Sequence, residues 1–260
     1  MTTLDQDGVR LRVDGAVATV TLTRPERRNA QTPAMWRALV EAGRRLPGQV
    51  RAVVLRAEGP SFSAGLDRAA FTPEGVEGGF SLFDMARLSD EELDATIAEY
   101  QEAFTWWRRN DLVSVAAVQG HAIGAGFQLA LACDLRVCAE DAQFAMRETS
   151  LGLVPDLTGT HTLVSLVGYP RALEICGTGR VVHAEEAERL GLANLVVPAA
   201  ELEAATADLV AALLAAPRNA LIETKALLRG AGERDFAAQC AAERAAQARR
   251  LRDLADPDEE

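Results

Sequence analysis

The chain has 260 residues, 48% of them hydrophobic and 25% charged, with 20 glycines and 10 prolines. These proportions exclude disordered, collagen-like and low-complexity classes and give one large domain enough material for a full core. Lys and Arg number 27 against 38 Asp and Glu, a formal net charge of -11, so neither nucleic acid nor an anionic membrane is an expected partner and any anionic ligand has to be held by a local basic patch.

The opening ten residues, MTTLDQDGVR, carry no basic start followed by an apolar run. No stretch approaches the roughly 18 consecutive apolar residues of a membrane span, so the chain is expected to be cytoplasmic. Alternation over residues 9–13 and 16–23 predicts two strands joined by an Asp14-Gly15 turn. A helix is expected from Thr32-Pro33, with Met35, Trp36, Leu39 and Val40 on one face, then a third strand over 52–55. A loop over 59–67 leads into an irregular stretch, rich in Gly and Phe, that runs to about residue 89; such segments are usually functional or mobile. A helix over 91–109 precedes an apolar strand over 113–118, and the glycines of Gly120-His-Ala-Ile-Gly-Ala-Gly126 open a buried helix ending near Cys133. Strands over 135–139 and 143–146, a loop to Thr160 and helices from His161 follow. From Ala199 the chain is nearly all helical, with a break at Pro217, an amphipathic helix over 234–254 and an acidic end at 256–260. The expected division is an α/β core, 1–198, and a helical C-terminal region, 199–260.

Cys133 and Cys138 have four residues between them and neither a second pair nor a histidine nearby; Cys176 and Cys240 stand alone. That spacing does not suit zinc, so no metal site is expected and the thiols read as buried and free in a reducing compartment.

Two glycine-containing turns are the first candidates for chemistry. Ser61-Phe-Ser-Ala-Gly65-Leu66-Asp67 follows one strand, and Gly124-Ala125-Gly126 follows another and opens a helix. Backbone N–H groups at such places are free to point at an anion or a developing oxyanion, although glycines also serve packing there. Gly124-Ala-Gly126 lacks the third glycine of a dinucleotide fingerprint, and no G-x-x-x-x-G-K-[ST] occurs. Ser61-Phe-Ser63-Ala-Gly65 is one residue short of a hydrolase nucleophile elbow, which would need Ser63 as nucleophile and a histidine base. Glu148 and Asp156 lie in an otherwise apolar stretch where desolvation would raise their pKa toward values useful in proton transfer. Pairing of Glu148 with Arg147 or another arginine, and capping of a helix near Thr158 by Asp156, are the alternatives.

Four segments together resemble the enoyl-CoA hydratase/isomerase (crotonase) superfamily: Arg24-Pro-Glu-Arg-Arg-Asn-Ala30, Ser61-Phe-Ser-Ala-Gly-Leu-Asp67, Val118-Gln-Gly-His-Ala-Ile-Gly-Ala-Gly-Phe-Gln-Leu-Ala130 with Cys133-Asp134, and Gly152-Leu-Val-Pro-Asp-Leu-Thr-Gly-Thr160. A fifth spans residues 173–198. The resemblance implies an α/β fold of repeated strand-strand-helix turns in a superhelix, with a C-terminal helical region that builds trimers, often paired into hexamers. It implies an acyl-CoA thioester as substrate, with coenzyme A entering as part of it and no other cofactor. The N–H groups of Leu66 and Ala125 would form an oxyanion hole for the thioester carbonyl; the family usually has glycine at the Ala125 position. Arg24, Arg27 and Arg28 lie on a loop matched to the family's CoA contacts, a solvated helix-start face being the alternative, and the Ala64 carbonyl would meet the adenine amine, with Asp67 and Arg68 nearby; the region of Phe80, Leu82, Phe83 and Met85 would line the acyl pocket or form a packed surface loop.

Hydrating members of that family use two glutamates flanking a water. Glu148 matches the second, but Gln128 stands at the position of the first, and an amide does not exchange a proton as a carboxylate does. Members that shift double bonds use a carboxylate at the Glu148 position, some with an aspartate at that of Asp156. The expected activity is therefore double-bond isomerisation, ahead of hydration of a 2-enoyl-CoA and of a catalytically silent acyl-CoA-binding trimer.

Overall fold

The computed structural model describes residues 3–76 and 80–255. It opens with an antiparallel meander of β1 (Thr3–Gln6), β2 (Val9–Asp14) and β3 (Val17–Leu22). Strand β1 is additional to the elements expected from sequence: with only Leu4 buried in four residues it carries no alternation to read. Its turn, however, is written in Asp7-Gly8, whose φ of 51° and 78° suits the mirror-image turn that matches strand twist. The next turn falls on Gly15-Ala16, one place later than expected, because β2 continues through Asp14.

Helix α1 (Pro33–Arg44) starts where Thr32 accepts a hydrogen bond from Met35 N and Pro33 takes the first turn, and it buries Met35, Trp36 and Leu39. Strand β4 (Ala52–Ala57) then pairs in parallel with β3. After the short α2 (Leu82–Met85) comes α3 (Asp90–Thr105), opened by a capping box of Ser89 and Glu92. Strand β5 (Val113–Val118) is buried along its whole length, as expected of a central parallel strand covered on both faces. Next come β6 (His121–Ile123), α4 (Ala125–Ala132), β7 (Leu135–Ala139) and β8 (Gln143–Ala145). Helix α4 has no polar side and is buried at every residue. The remainder is α5 (Gly159–Val167), α6 (Tyr169–Thr178), β9 (Val182–His183), α7 (Ala184–Arg189), β10 (Leu195–Val197), α8 (Leu202–Ala215), α9 (Arg218–Gly230) and α10 (Phe236–Ala255).

Seven strands form one sheet in the order β1-β2-β3-β4-β5-β7-β10, and β6-β8-β9 form a second, smaller one. Helices α1, α3 and α4 share the main core with the inner face of the large sheet. On the outer face Val210 of α8 joins Ala52, Val115 and Val137 in a separate small cluster. A cavity of about 1040 Å³ opens beside α8 on this outer face, lined by Arg12, Thr19, Val54, Leu202 and Val210; none of its lining residues belongs to the glycine turns or to the 148–160 region. No helix among the described residues is long and apolar enough to cross a membrane.

The C-terminal helices are fastened to the core by a buried cation. Lys225 of α9 donates from Nζ to the carbonyls of Arg109 and Leu112, each at 2.7 Å, and to Asp134 Oδ2 at 2.6 Å. The same carboxylate oxygen accepts from Ser114 N and Oγ. Replacing Lys225 by Met leaves two carbonyls without this donor and a poorly solvated carboxylate without its cation, held by Ser114 alone, and is expected to lower stability by about 3 kcal/mol, read as a shift in the denaturant midpoint at unchanged slope.

Candidate active site

Gly65 has φ +87° and Gly124 φ +52°; the conformation demands glycine at both, and at Gly65 the spacing does as well. A Cβ on Gly65 would lie 2.5 Å from the Ile123 carbonyl oxygen and 3.6 Å from Ala125 N. The close approach is built by a short parallel bridge between Ser63 and Ala122: Ser63 N donates to the His121 carbonyl at 2.8 Å and Ile123 N to the Ser63 carbonyl at 3.0 Å. Just past this bridge stand the amides of Leu66 and Ala125. Neither donates to a protein acceptor among the described residues. Ala125 is the first residue of α4, where an N–H has no intrahelical partner, and it does not share the positive φ of Gly124. The methyl group therefore costs no backbone strain and the donor is kept.

A buried polar network supports the first turn from below. Asn29, itself at φ +51°, donates from Nδ2 to the carbonyls of Glu58 and Ser61 and accepts from Arg24 N. Ser63 Oγ donates to the Asn29 carbonyl and accepts from Gln31 Nε2 and Gly65 N, and Gln31 Oε1 accepts from Trp36 Nε1. Ser63 is therefore fully committed to holding the loop, with no histidine on its hydroxyl, and is not a nucleophile. The hydrogen-bonded Ser–His contact of this region is instead Ser61 Oγ with His121 Nδ1, 3.1 Å apart, and Ser61 is buried. The roles of Asn29 and Gln31 were not legible in the sequence, since only folding brings their amides under a loop some 30 residues away.

Glu148 begins a 3-10 turn after β8, with its carboxylate against the second glycine: a Cβ on Gly124 would be 3.3 Å from Oε1 and 3.8 Å from Oε2. Among the described residues no arginine pairs with it. Its partner is Gln128 of α4, whose Nε2 donates to Oε1 at 2.7 Å, while Oε2 is buried and accepts nothing among the described residues. Burial pushes the Glu148 carboxyl above its ordinary value, against the downward pull of backbone and Gln128 donors, and the charge of Asp156 adds to the rise. Asp156 does not cap α5, whose N-cap is Thr158 without a side-chain bond. Its own carboxyl is also pushed up by burial; the residue lies at an exposed rim, so water screens this effect more than at Glu148. Gln101 of α3 holds this loop by donating to the Asp156 carbonyl at 2.6 Å, a contact between distant segments that no local pattern announces.

The basic cluster divides in two. Arg24 is used internally, bonding the Ala30 carbonyl at 2.7 Å and pairing with Asp67 at 3.4 Å, and Asp67 also caps the turn of residues 68–71 through Ala69 N. Arg27, Arg28 and Arg68 are exposed, and no ion pair with them occurs among the described residues. Ala64 N donates to the Arg28 carbonyl at 2.9 Å, which sets the exposed arginines beside the Ala64 loop. Phe80 packs edge-on against Tyr100, which lies 4.8 Å from the ring of Trp36; Phe83 is half exposed, and residues 77–79 of the expected acyl-pocket stretch lie outside the described residues. The Cys133 and Cys138 thiols are buried and pushed up to about 12.

The enoyl-CoA hydratase/isomerase family matches residues 12–254. A mitochondrial protein of Arabidopsis thaliana named as an enoyl-CoA hydratase is 32% identical over 72% of this chain and 59% of its own. The human mitochondrial Delta(3,5)-Delta(2,4)-dienoyl-CoA isomerase is 35% identical over 74% of this chain and 60% of its own. The chain thus spans about three fifths of the length of these curated relatives. A solved Thermobifida fusca YX chain described as an enoyl-CoA hydratase, in complex with CoA, is 53% identical and superposes with a TM-score of 0.90 over 95% of this chain and 94% of that one.

The raised carboxyl of Glu148 has a consequence for stability. A folded-state value above the ordinary 4.5 means that folding favours the protonated form, so the contribution is fully present below 4.5 and is lost as pH rises through the folded value. Glu148→Gln is therefore expected to melt about 2–4 °C above the parent chain at pH 7, with the advantage shrinking at pH 4; thermal unfolding at the two pH values checks both.

Proposed function

We propose that this chain, which belongs to the enoyl-CoA hydratase/isomerase family, is an isomerase that moves a double bond within an acyl-CoA thioester. The observation that carries this reading is the Gln128–Glu148 contact of 2.7 Å: one proton-exchanging group faces the corner of the two turns, with an amide beside it. In the proposed reaction the Leu66 and Ala125 amides receive the thioester carbonyl oxygen. Glu148 then takes a proton, the C–H electron pair moves into the carbonyl to give an enolate, and the two amides stabilise the charge more as it forms than in the ground state. Return of the proton from Glu148 to another carbon, as the enolate reverts to a carbonyl, leaves the double bond displaced and the carboxylate restored. In the two-carboxylate form of the step Glu148 keeps the proton it took, Asp156, raised by burial and so able to carry a proton, gives its own to the far carbon in place of Glu148, and exchange with solvent resets both.

Hydration of a 2-enoyl-CoA is the second reading, favoured by the names of several relatives and opposed by the amide at 128. The Thermobifida relative is described in complex with CoA; for this chain the proposed CoA contacts are the exposed Arg27, Arg28 and Arg68 and the Ala64 carbonyl, brought together by the Ala64 N to Arg28 carbonyl bond. Leu228, Phe236 and Leu254 of α9 and α10 are exposed at 72, 86 and 78%, apolar surface of the kind buried on association, which supports a homotrimer or a pair of trimers built through this region.

A chromatographic and mass-resolved survey of enoyl-CoA thioesters in deuterated water separates the readings: a displaced double bond without the mass of water means isomerisation, with deuterium gained only where the carboxyl exchanges before returning its proton, and gain of a whole water means hydration and removes the proposal. Glu148→Gln is expected to lose at least a hundredfold in rate, the usual range for removing a general base being about 10²–10⁴, while still binding CoA. Ala125→Pro deletes one amide donor at a helix position where proline is tolerated. It is expected to fold and to lose about 10²–10³ in kcat, measured beside its unchanged melting curve.

A further inference from the structure

Gln128 stands one turn along α4 from Ala125 and is 1% exposed. Both ends of its amide are engaged: the side-chain oxygen accepts from Leu157 N at 2.9 Å and Gly159 N at 3.2 Å, while Nε2 donates to Glu148 Oε1 at 2.7 Å. The two backbone donors decide which end is which, because a flipped amide would turn its NH2 toward them and lose both bonds. Gly159 admits this side chain closely, since a Cβ there would lie 2.7 Å from Gln128 Cγ. Direct contact at 2.7 Å leaves no place for a water between the two side chains. Glu148 Oε2 is the oxygen left without a partner.

We infer that Gln128 is a positioning residue that fixes Glu148 by one oxygen, leaving Oε2 alone to exchange protons with the substrate, and that it selects proton transfer over water addition by closing the space in which a water would be activated. This rests on the isomerase reading above. The same amide joins Glu148 to the Asp156 loop through Leu157 and Gly159, so the two carboxyls keep a fixed relation. A donor on Oε1 also favours the anion over the acid, offsetting part of what burial does. The other titratable groups at Glu148 are Asp156 from its loop and the Cys176 thiol from α6, which feels the Glu148 charge; neither is substituted in the variants below, and only Gln128→Glu also keeps the acceptor that holds the Asp156 loop.

The test titrates Glu148 directly, by carbon-13 NMR of chain labelled in its glutamate carboxyls and assigned by the signal lost in Glu148→Gln, beside acyl-CoA turnover in oxygen-18 water. Gln128→Met matches the length of the side chain without a donor and is expected to raise the Glu148 midpoint by about one pH unit or more, moving the acidic limb of kcat/KM with it. Gln128→Glu keeps an oxygen for Leu157 and Gly159 but opposes two carboxylates; it is expected to titrate in two steps, one of them raised, and to add labelled water to crotonyl-CoA at least about tenfold faster than the parent chain. If the Met variant does not fold, the Glu variant carries both readouts. A Glu148 midpoint that moves by less than about 0.3 unit in a folded variant overturns the positioning role; absence of any gain in hydration by Gln128→Glu overturns the selection. A parent chain that hydrates, with Glu148 still responding to residue 128, would sink the isomerase reading and the selection together while leaving the positioning intact.

Discussion

Two turns that leave different strand layers are brought so near each other at Gly65 and Gly124 that a single added methyl group on the first would collide with the Ile123 carbonyl. This approach is the constraint from which the rest of the site follows. It requires two glycines at positive φ, the Ser63–Ala122 bridge and a loop that does not move. The last requirement explains the density of buried polar groups beneath it. Asn29, Gln31 and Ser63 satisfy one another and the surrounding carbonyls, and a fully satisfied network in a low-dielectric interior is a rigid one.

The corner of the two turns sets two kinds of group against each other. Amides at a helix start and in the loop after Gly65 favour negative charge; the carboxylate beside them is penalised for carrying it. Both tendencies suit the proposed reaction, in which charge leaves a carboxylate and arrives on a carbonyl oxygen. A base raised by burial holds a proton more firmly, and an oxygen held by amides gives up its enolate electrons less readily, which narrows the energetic distance between the two states.

Much of this was legible in the chain before folding. Alternation over the second and third strands, the Thr32-Pro33 helix start and the uniformly apolar fifth strand all read correctly, because each depends on neighbours a few residues apart. The glycine turns and Glu148, singled out by residue type, are brought side by side by the fold. What escaped was long-range or faintly patterned: β1 has one buried residue, Gln101 reaches the Asp156 loop from 55 positions away, and Arg24, grouped with the exposed arginines, turned inward to Asp67. Capping of α5 by Asp156 failed for a different reason, since the first amide of that helix, Gly159 N, is taken by Gln128 Oε1 from another helix.

Helix α4 is held at both ends. Its first amide belongs to the corner of the two turns, and just beyond its last residue Asp134 is gripped by Lys225 from α9. Eight buried residues with no polar face make a stiff rod between these anchorages. A shift of α9 at Lys225 would bear first on Asp134, and through it on Ser114 and on the strand that follows α4, so the seating of the outlying helices and that of α4 share a single carboxylate.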